Sequence, residues 1–460
     1  MEKNLQKKLI KKLVEKYNYR VLMYTEYPHK KLWSKEFKEE DYKVALKELF
    51  LQSKNLPLLL YIHIPFCSKQ CLYCTCHTMI TNDYERIKSY LIFLYKEIDL
   101  LCKFFNKNSI LPNFQEIHLG GGSPTLLHEK EFDVLIEKLS LVASLKNLSE
   151  FSIEIDPRGV DKERLKYYHQ KGISRISFGV QDIDFNVQKA INRVQPPELS
   201  ENLITPDIRG LFKNGINFDI ICGLPLQTRM TIKKTFEWII KMSPDRICFN
   251  YLHYVPEHAK HQKVMTDGRN GRPTKLPNFY EKKMLFLESS RVLENNGYIR
   301  TGYDHFAKPT DTLTKAMQCK TMGWNALGVT SGRYSNVIGI GLQSYSTIGN
   351  YYAQNFYEIS NYSKSVENGK FPIYRGCKLS KDDIIRRDVI QSIRNYFYLD
   401  YHDIEKKYGI NFKEYFRTQV ENLDEFVRDG IIKFSDHEII ITDLGQQFTD
   451  LVCRHFDAYI

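Results

Sequence analysis

The sequence predicts an α/β fold: a partial (β/α)6, TIM-like barrel with an N-terminal arm and a C-terminal, mainly helical, winged-helix-like domain. Two observations predict the barrel. Six short, β-rich apolar runs recur at 58–66, 116–122, 151–157, 175–182, 218–225 and 246–256, and segments of helical period separate them. Apolar runs alternating with helices are parallel strands covered on both faces or closed on themselves. Moreover, every run ends in distinctive polar or glycine residues, at the strand end where barrels build active sites.

The helical segments are Tyr84–Phe105, Lys130–Ser144, Lys162–Lys171 and Thr231–Met242. Before them, Met1 to Arg20 is Lys-rich with Leu9, Ile10, Leu13 and Val14 at helical spacing, and it reads as a basic surface helix. It has no h-region or cleavage site, so no signal peptide is expected. After about residue 258 the pattern changes. Asp267 to Pro277 is rich in Gly, Pro and basic residues and reads as a loop, and Gly328 to Gly349 is Gly- and Ser-rich with strand-like stretches. From Asp382 onward the chain looks helical and then runs into GIIKFSDHEIIITDLG (430–445), a hairpin pattern. The expected division is 1–55 for helix and arm, 56–310 for the barrel and 311–460 for the C-terminal domain. A winged-helix shape does not by itself imply DNA binding, and packing against the barrel is the simpler role.

The chain has 460 residues, 42% of them hydrophobic, with a net charge of +11 and a mean hydropathy of −0.42. No apolar run reaches the ~18–20 residues that span a bilayer. The cations are scattered rather than blocked, which disfavours a nucleic-acid tract and suits a polyanionic small molecule. No membrane partner is expected, and the protein is read as cytoplasmic. Ten cysteines in a chain this long do not suit a secreted disulfide scaffold. Six of them (Cys102, Cys222, Cys248, Cys319, Cys377, Cys453) are isolated and read as core or surface thiols.

The other four lie in Cys67-Ser-Lys-Gln-Cys71-Leu-Tyr-Cys74-Thr-Cys76. Zinc sites more often use two distant C-x2–4-C pairs, and redox dithiols a single C-x-x-C. Three thiolates at spacings of four and three in one loop fit three corners of a cubane, leaving a fourth iron for a substrate or cofactor. Cys76 is either a fourth ligand or a group on the substrate side. Gly120-Gly121-Gly122-Ser123 follows a strand and precedes a helix, where bare backbone can approach an anion closely. Glu154, Gln181, Arg193 and Asp219 stand at or near strand ends, and Asp219 lies within an apolar run, where a carboxylate needs partners.

C-x3-C-x2-C with an aromatic before the third cysteine resembles the radical S-adenosylmethionine (SAM) signature. That implies a [4Fe-4S] cluster on Cys67, Cys71 and Cys74 that cleaves SAM to a 5′-deoxyadenosyl radical. The resemblance narrows over YIHIPFCSKQCLYCTC, HLGGGSPT, EIDPR, GVQD, FDIICGLP, FNYLH, DHFAKP, IGIGLQSYS, YYAQN and RRDVIQSI, in order along nearly the whole chain. These strings resemble the oxygen-independent coproporphyrinogen III oxidases. The resemblance implies two bound SAM molecules. Tyr61, Gly121, Glu154 and Tyr345 match positions around the first; Tyr73, Cys74, Thr75, Gly122, Ser123, Gln181, Arg193, Asp219 and Leu252 match those around the second. It also implies a catalytic role for Cys76, an electron donor such as flavodoxin or ferredoxin, a monomer, and removal of carbon dioxide from two propionates of coproporphyrinogen III. Tyr24 and Tyr27 would cover the macrocycle.

Three departures are visible. The family's Pro-Arg-Tyr-Thr-Ser-Tyr-Pro-Thr arm is here Leu22-Met23-Tyr24-Thr25-Glu26-Tyr27-Pro28-His29. Its Gln-Gly-Tyr-Thr-Thr run is Asn325 to Ser331, and Tyr345 replaces a smaller aliphatic residue. The alternative is a related two-SAM enzyme, of methyltransferase or cyclopropanase type, on a different substrate.

Overall fold

The computed structural model describes residues 2–17, 24–52, 55–267, 274–325, 328–332 and 335–460. Leu22, Met23, Ala326 and Leu327 lie outside them. The chain divides into two compact units, Trp33–Leu276 with Arg333–Lys378, and Met1–Leu32 with Pro277–Gly332 and Leu379–Ile460. This division is drawn differently from three contiguous stretches. The Gly-rich segment after residue 333 returns to the sheet of the first unit, and the N-terminal helix shares its core with the C-terminal elements.

In the first unit all six expected runs are strands: β1 (Pro57–Ile64), β2 (Asn113–Gly121), β3 (Glu150–Ile155), β4 (Arg175–Gln181), β5 (Gly215–Cys222) and β6 (Arg246–Tyr251). Each pairs in parallel with the next. Only Pro57 of β1 is less than buried, as a strand covered on both faces requires. The Gly-rich segment adds β7 (Val337–Ile340), parallel to β1 on its other side. The antiparallel strands β8 (Tyr345–Ile348), β9 (Tyr351–Asn355) and β10 (Ile373–Lys378) continue from it. The order is β10-β9-β8-β7-β1-β2-β3-β4-β5-β6.

Helices fill the connections where their period predicts. Tyr84–Lys107 begins at Asp83, whose side chain accepts the Glu85 N–H at 3.0 Å, the usual repair of an unpaired first-turn donor. Its Ile87, Leu91, Leu94, Ile98 and Leu101 form the buried stripe. Glu129–Ser140, Lys162–Gln170 and Arg229–Met242 occupy the other three expected places.

The second unit is mainly helical. The 430–445 pattern is the antiparallel pair Ile432–Phe434 and Glu438–Ile441. Tyr398–Asp400, unread in the sequence, joins as a third strand. The N-terminal helix, Glu2–Lys16, is more than a surface helix: Ile10, Leu13 and Val14 are buried in the core of this unit with Ile390, Phe426 and Phe448. The arm residues also differ from expectation. Tyr24 and Tyr27 are each 2% exposed. Tyr24 donates to Asp457 at 2.9 Å, and the Tyr27 oxygen accepts the Ala458 N–H at 3.1 Å. Their rings are part of this core, so they do not cover a macrocycle. Glu26 accepts from the Lys30 N–H at 3.1 Å and from the Thr25 hydroxyl, which uses its charge locally. Asn325 is buried in the strand Gly323–Asn325, which pairs with Gly328–Thr330.

Candidate active site

The cysteine loop begins where β1 ends. Its two stems, Phe66–Cys67 and Met79–Ile80, pair in parallel, and the Thr81 N–H donates to the Cys67 carbonyl at 3.0 Å. Cross-ties hold the loop between these stems. The Leu72 N–H donates to the Ile191 carbonyl at 2.9 Å, Asn192 donates to the Gln70 carbonyl at 2.7 Å, and Gln262 donates to the Tyr73 carbonyl at 2.9 Å. Cys71 is buried, Cys67 and Cys74 are half-buried, and Cys76 is exposed.

Two guanidinium groups face the Cys71 sulfur: Arg193 Nη1 at 3.5 Å and Arg158 Nη2 at 4.0 Å. Asp156 binds both, at 3.0 Å from Arg193 and 2.6 Å from Arg158. Burial, and then the neighbouring Cys71, push the Cys67 thiol up to about 12. Contact with Cys74 raises Cys76 well above the ordinary thiol range. Bound iron reverses this preference, since a coordinating thiol gives up its proton. Among the described residues no three His, Cys, Asp or Glu side chains converge on one point as a single ion requires; a cubane instead takes one thiolate per iron. Soft sulfur donors in one tied loop, with two guanidinium groups offsetting thiolate charge, fit a [4Fe-4S] cluster on Cys67, Cys71 and Cys74.

Beside the loop, the glycine turn closes onto its base. The Gly122 N–H donates to the Ile64 carbonyl at 2.8 Å and Ser123 N–H to the Phe66 carbonyl at 2.7 Å. A Cβ on Gly122 would stand 2.4 Å from the Phe66 oxygen, so only glycine permits this approach. Gly121 has φ +110, and a Cβ there would meet the His63 ring at 2.6 Å. Its N–H donates to Glu154 Oε2 at 3.2 Å. The other oxygen of Glu154 lies 3.2 Å from His118 Nε2, and His118 Nδ1 lies 2.6 Å from Ser152 Oγ. Burial alone would lower His118, but the hydrogen bond and charge of Glu154 outweigh it and raise it. Tyr61, buried, stacks on His118 with centroids 5.8 Å apart and contacts His63 Nδ1 at 2.9 Å through its hydroxyl. Burial depresses His63 to about 4.

Of the remaining expected residues, Gln181, Arg193 and Asp219 gather around β4 and β5, while Leu252, Thr75 and Tyr345 stand on other elements. Gln181, buried and at φ 66, ends β4. A Cβ on Gly179 would lie 3.0 Å from Gln181 Nε2 and 2.9 Å from Arg193 Nη2, so both side chains crowd the same bare backbone. Gly179 in turn pairs with Asp219. Asp219 is half-buried and has partners: Ser177 donates at 2.9 Å and Asn217 at 2.9 Å. Leu252 follows β6 and packs with Leu72 and Leu224 against Tyr73. Thr75 is exposed. Tyr345 opens β8, edge-on to Trp33 at 5.9 Å.

His63, His118, Asp156 and Arg158 are site neighbours that sequence reading passed over. The signal for the first two is polarity at alternate positions of otherwise apolar strands, Tyr61-x-His63 and Glu116-x-His118. Alternate residues share a face, and a polar face inside an apolar run marks a lined site.

Residues 61–239 match the model for the Radical SAM superfamily. This is the class that the cysteine loop and the glycine turn define. Over its length the chain is 35% identical to the oxygen-independent coproporphyrinogen III oxidase of Helicobacter pylori, covering 95% of this chain and 94% of that one. It is 34% identical to the enzyme of that name from Pseudomonas aeruginosa, covering 97% and 95%. The solved structure of coproporphyrinogen III oxidase from Escherichia coli, described as a radical SAM enzyme, superposes with a TM-score of 0.86 at 31% identity, covering 97% of this chain and 98% of that one. The chain belongs to the oxygen-independent coproporphyrinogen III oxidase family.

Proposed function

We propose that this protein removes two propionate carboxylates from coproporphyrinogen III without oxygen, leaving vinyl groups and giving protoporphyrinogen IX in haem biosynthesis. The observation that carries the reading is the meeting of two features at adjoining strand ends. The Cys67–Cys76 loop lies against Arg193 and Asp156, and the Glu154 carboxylate is fixed on the Gly121 N–H. Similarity to relatives of that name over nearly the whole chain supports it.

Cys67, Cys71 and Cys74 would hold the cluster, which when bound would supply the electron that cleaves SAM. The chain's own residues do the rest. Glu154, oriented by Gly121 and His118, offers its carboxylate to an ammonium group of the first SAM. Tyr61 and Tyr345 flank that molecule, and His63, kept neutral by burial, adds no competing charge. Tyr73, Thr75, Gly122, Ser123, Gln181, Arg193, Asp219 and Leu252 receive a second SAM. Arg193 also faces Cys71 and so sets the charge near the cluster. Cys76 is exposed beside the loop and acts on the substrate side. Each propionate would give a hydrogen atom to the radical that SAM supplies and an electron to an external one-electron acceptor, and would release carbon dioxide, so that a carbon–carbon double bond replaces the carboxylate.

The protein works in the cytoplasm as a monomer, fed by flavodoxin or ferredoxin. Among the described residues no helix is long and apolar enough to cross a membrane. Anaerobic incubation with SAM, a reductant and coproporphyrinogen III, read by mass spectrometry, tests the function. Product lighter by two carboxyl groups and four hydrogens in all supports it; methyl transfer from SAM with the porphyrinogen untouched contradicts it.

A further inference from the structure

A second constellation lies on the antiparallel strands of the same unit, outside the cysteine loop. Trp33 is buried and stacks on Tyr352 with centroids 5.1 Å apart and planes 12° from parallel. The Arg375 guanidinium lies 5.9 Å from the Trp33 ring and 5.8 Å from the Tyr374 ring. Its Nε donates to Gln354 Oε1 at 2.7 Å, which fixes the plane of the fork. Lys35 reaches the same Tyr374 ring, its Nζ 5.4 Å from the centroid. The Tyr374 hydroxyl hydrogen-bonds Lys35 and holds its ammonium charged, so both cations sit at one tyrosine although Arg375 opposes Lys35.

The constellation borders the reaction centre on two sides. Through Trp33 it touches Tyr345, the residue that flanks the first SAM. Through Tyr374 it meets Tyr357 edge-on at 5.0 Å, and Tyr357 meets His77 at 6.2 Å, the residue after Cys76. A flat, polyanionic substrate needs an aromatic surface for its ring and fixed cations for its carboxylates. An anion between neighbouring cations also relieves their repulsion.

We propose that Lys35 and Arg375 form a carboxylate-binding site for a propionate of the substrate, beside the half-buried ring of Tyr374. The site is specificity-determining. It would hold one carboxylate while another side chain of the macrocycle is presented near Tyr345. Arg375, planar and oriented by Gln354, is suited to two-point contact, and Lys35 to a point charge. This inference rests on the functional reading above.

The test uses full-length, cluster-loaded protein and two stable probes, coproporphyrin III and its tetramethyl ester, followed by fluorescence under nitrogen. Wild type is expected to bind the tetra-acid and discriminate against the ester. Arg375→Gln and Lys35→Gln should each weaken tetra-acid binding about tenfold, as loss of one charge-assisted contact implies, and leave ester binding unchanged. Arg375→Lys and Lys35→Arg should recover part of the loss. In turnover, KM for coproporphyrinogen III should rise more than kcat falls. Iron content and thermal midpoint equal to wild type establish folding, and Lys35, being exposed, gives a variant that leaves the core alone. Wild-type affinity in both Gln variants overturns the proposed site. A wild-type protein that neither binds the tetra-acid nor decarboxylates the porphyrinogen overturns the functional reading instead.

Discussion

Arg193 places Nη1 3.5 Å from the Cys71 sulfur and 3.0 Å from Asp156 Oδ2. The same guanidinium donates to the Gly179 carbonyl at 2.9 Å and to Gln195 at 3.0 Å. Four acceptors hold this one buried cation, and one of them is the Cys71 sulfur proposed above as a cluster ligand.

Removing that cation should therefore alter the cluster electronically while leaving it assembled. Hydrogen bonds and positive charge at the sulfurs favour the reduced form. Arg193→Gln is expected to keep about four irons per chain, to shift the reduction potential to more negative values, and to slow SAM cleavage. An EPR-monitored redox titration checks this. An unchanged potential with unchanged turnover would show that Arg193 is only a structural tie.

The three ligand cysteines should be separable from the isolated ones. Cys67→Ser, Cys71→Ser and Cys74→Ser should abolish the cluster, and Cys319→Ser, at an exposed thiol, should not. Cys76→Ser should retain iron but lose product, because Cys76 touches Cys74 without replacing it. Iron assay and product analysis of the same preparations decide; loss of iron in Cys76→Ser would make it a ligand.

Gly121→Ala should damage SAM binding and stability together. A φ of +110 strains any side chain, and a Cβ would meet the His63 ring at 2.6 Å. The backbone strain alone costs on the order of 1–3 kcal/mol, and the displaced N–H no longer meets Glu154. Equilibrium dialysis with SAM and a denaturation curve measure the two effects.

Glu97 supplies a pH prediction. It is 3% exposed and accepts the Gly341 N–H at 2.8 Å, the Tyr362 hydroxyl at 2.6 Å and the Asn355 amide at 2.7 Å. Burial outweighs these donors and raises its carboxyl from 4.5 to about 7. Below about 4.5 it is protonated whether the chain is folded or not. Between 4.5 and 7 the unfolded chain gives up the proton and the folded chain keeps it, so stability falls as pH rises through this window. The stability advantage of wild type over Glu97→Gln should shrink by up to about 3 kcal/mol from pH 4.5 to 7. Urea denaturation at both values checks it; a constant difference would mean that the Glu97 carboxyl titrates alike in the folded and the unfolded chain.

The fold was legible wherever one local rule dominated. The β1–β6 runs are apolar on both faces, and the helix at Tyr84 is both periodic and capped, so both could be read without tertiary context. Tyr24 and Tyr27 misled because exposure is a tertiary property: aromatic rings in an arm read as a lid until Asp457 and Ala458, more than 400 residues away, claim their hydroxyls. The N-terminal helix misled for a similar reason. Lys8, Lys11 and Lys12 are exposed, while Ile10 and Leu13 share a core with Met284, Leu287 and residues of the last eighty. At the site, Cys67, Cys71, Gly121 and Glu154 were readable because their chemistry is written in short strings. His118, Asp156 and Arg158 were not singled out, because a histidine or an ion pair becomes informative only when neighbouring strands bring it to a thiol or a carboxylate.

The most direct test of the account is the reaction itself. Anaerobic protein with a reconstituted cluster, SAM, reductant and coproporphyrinogen III should form 5′-deoxyadenosine, release carbon dioxide and yield the divinyl product, seen by mass spectrometry as loss of two carbon dioxides and four hydrogens. 5′-Deoxyadenosine formed with the porphyrinogen left intact, or a methyl group from SAM appearing on another acceptor, would contradict it.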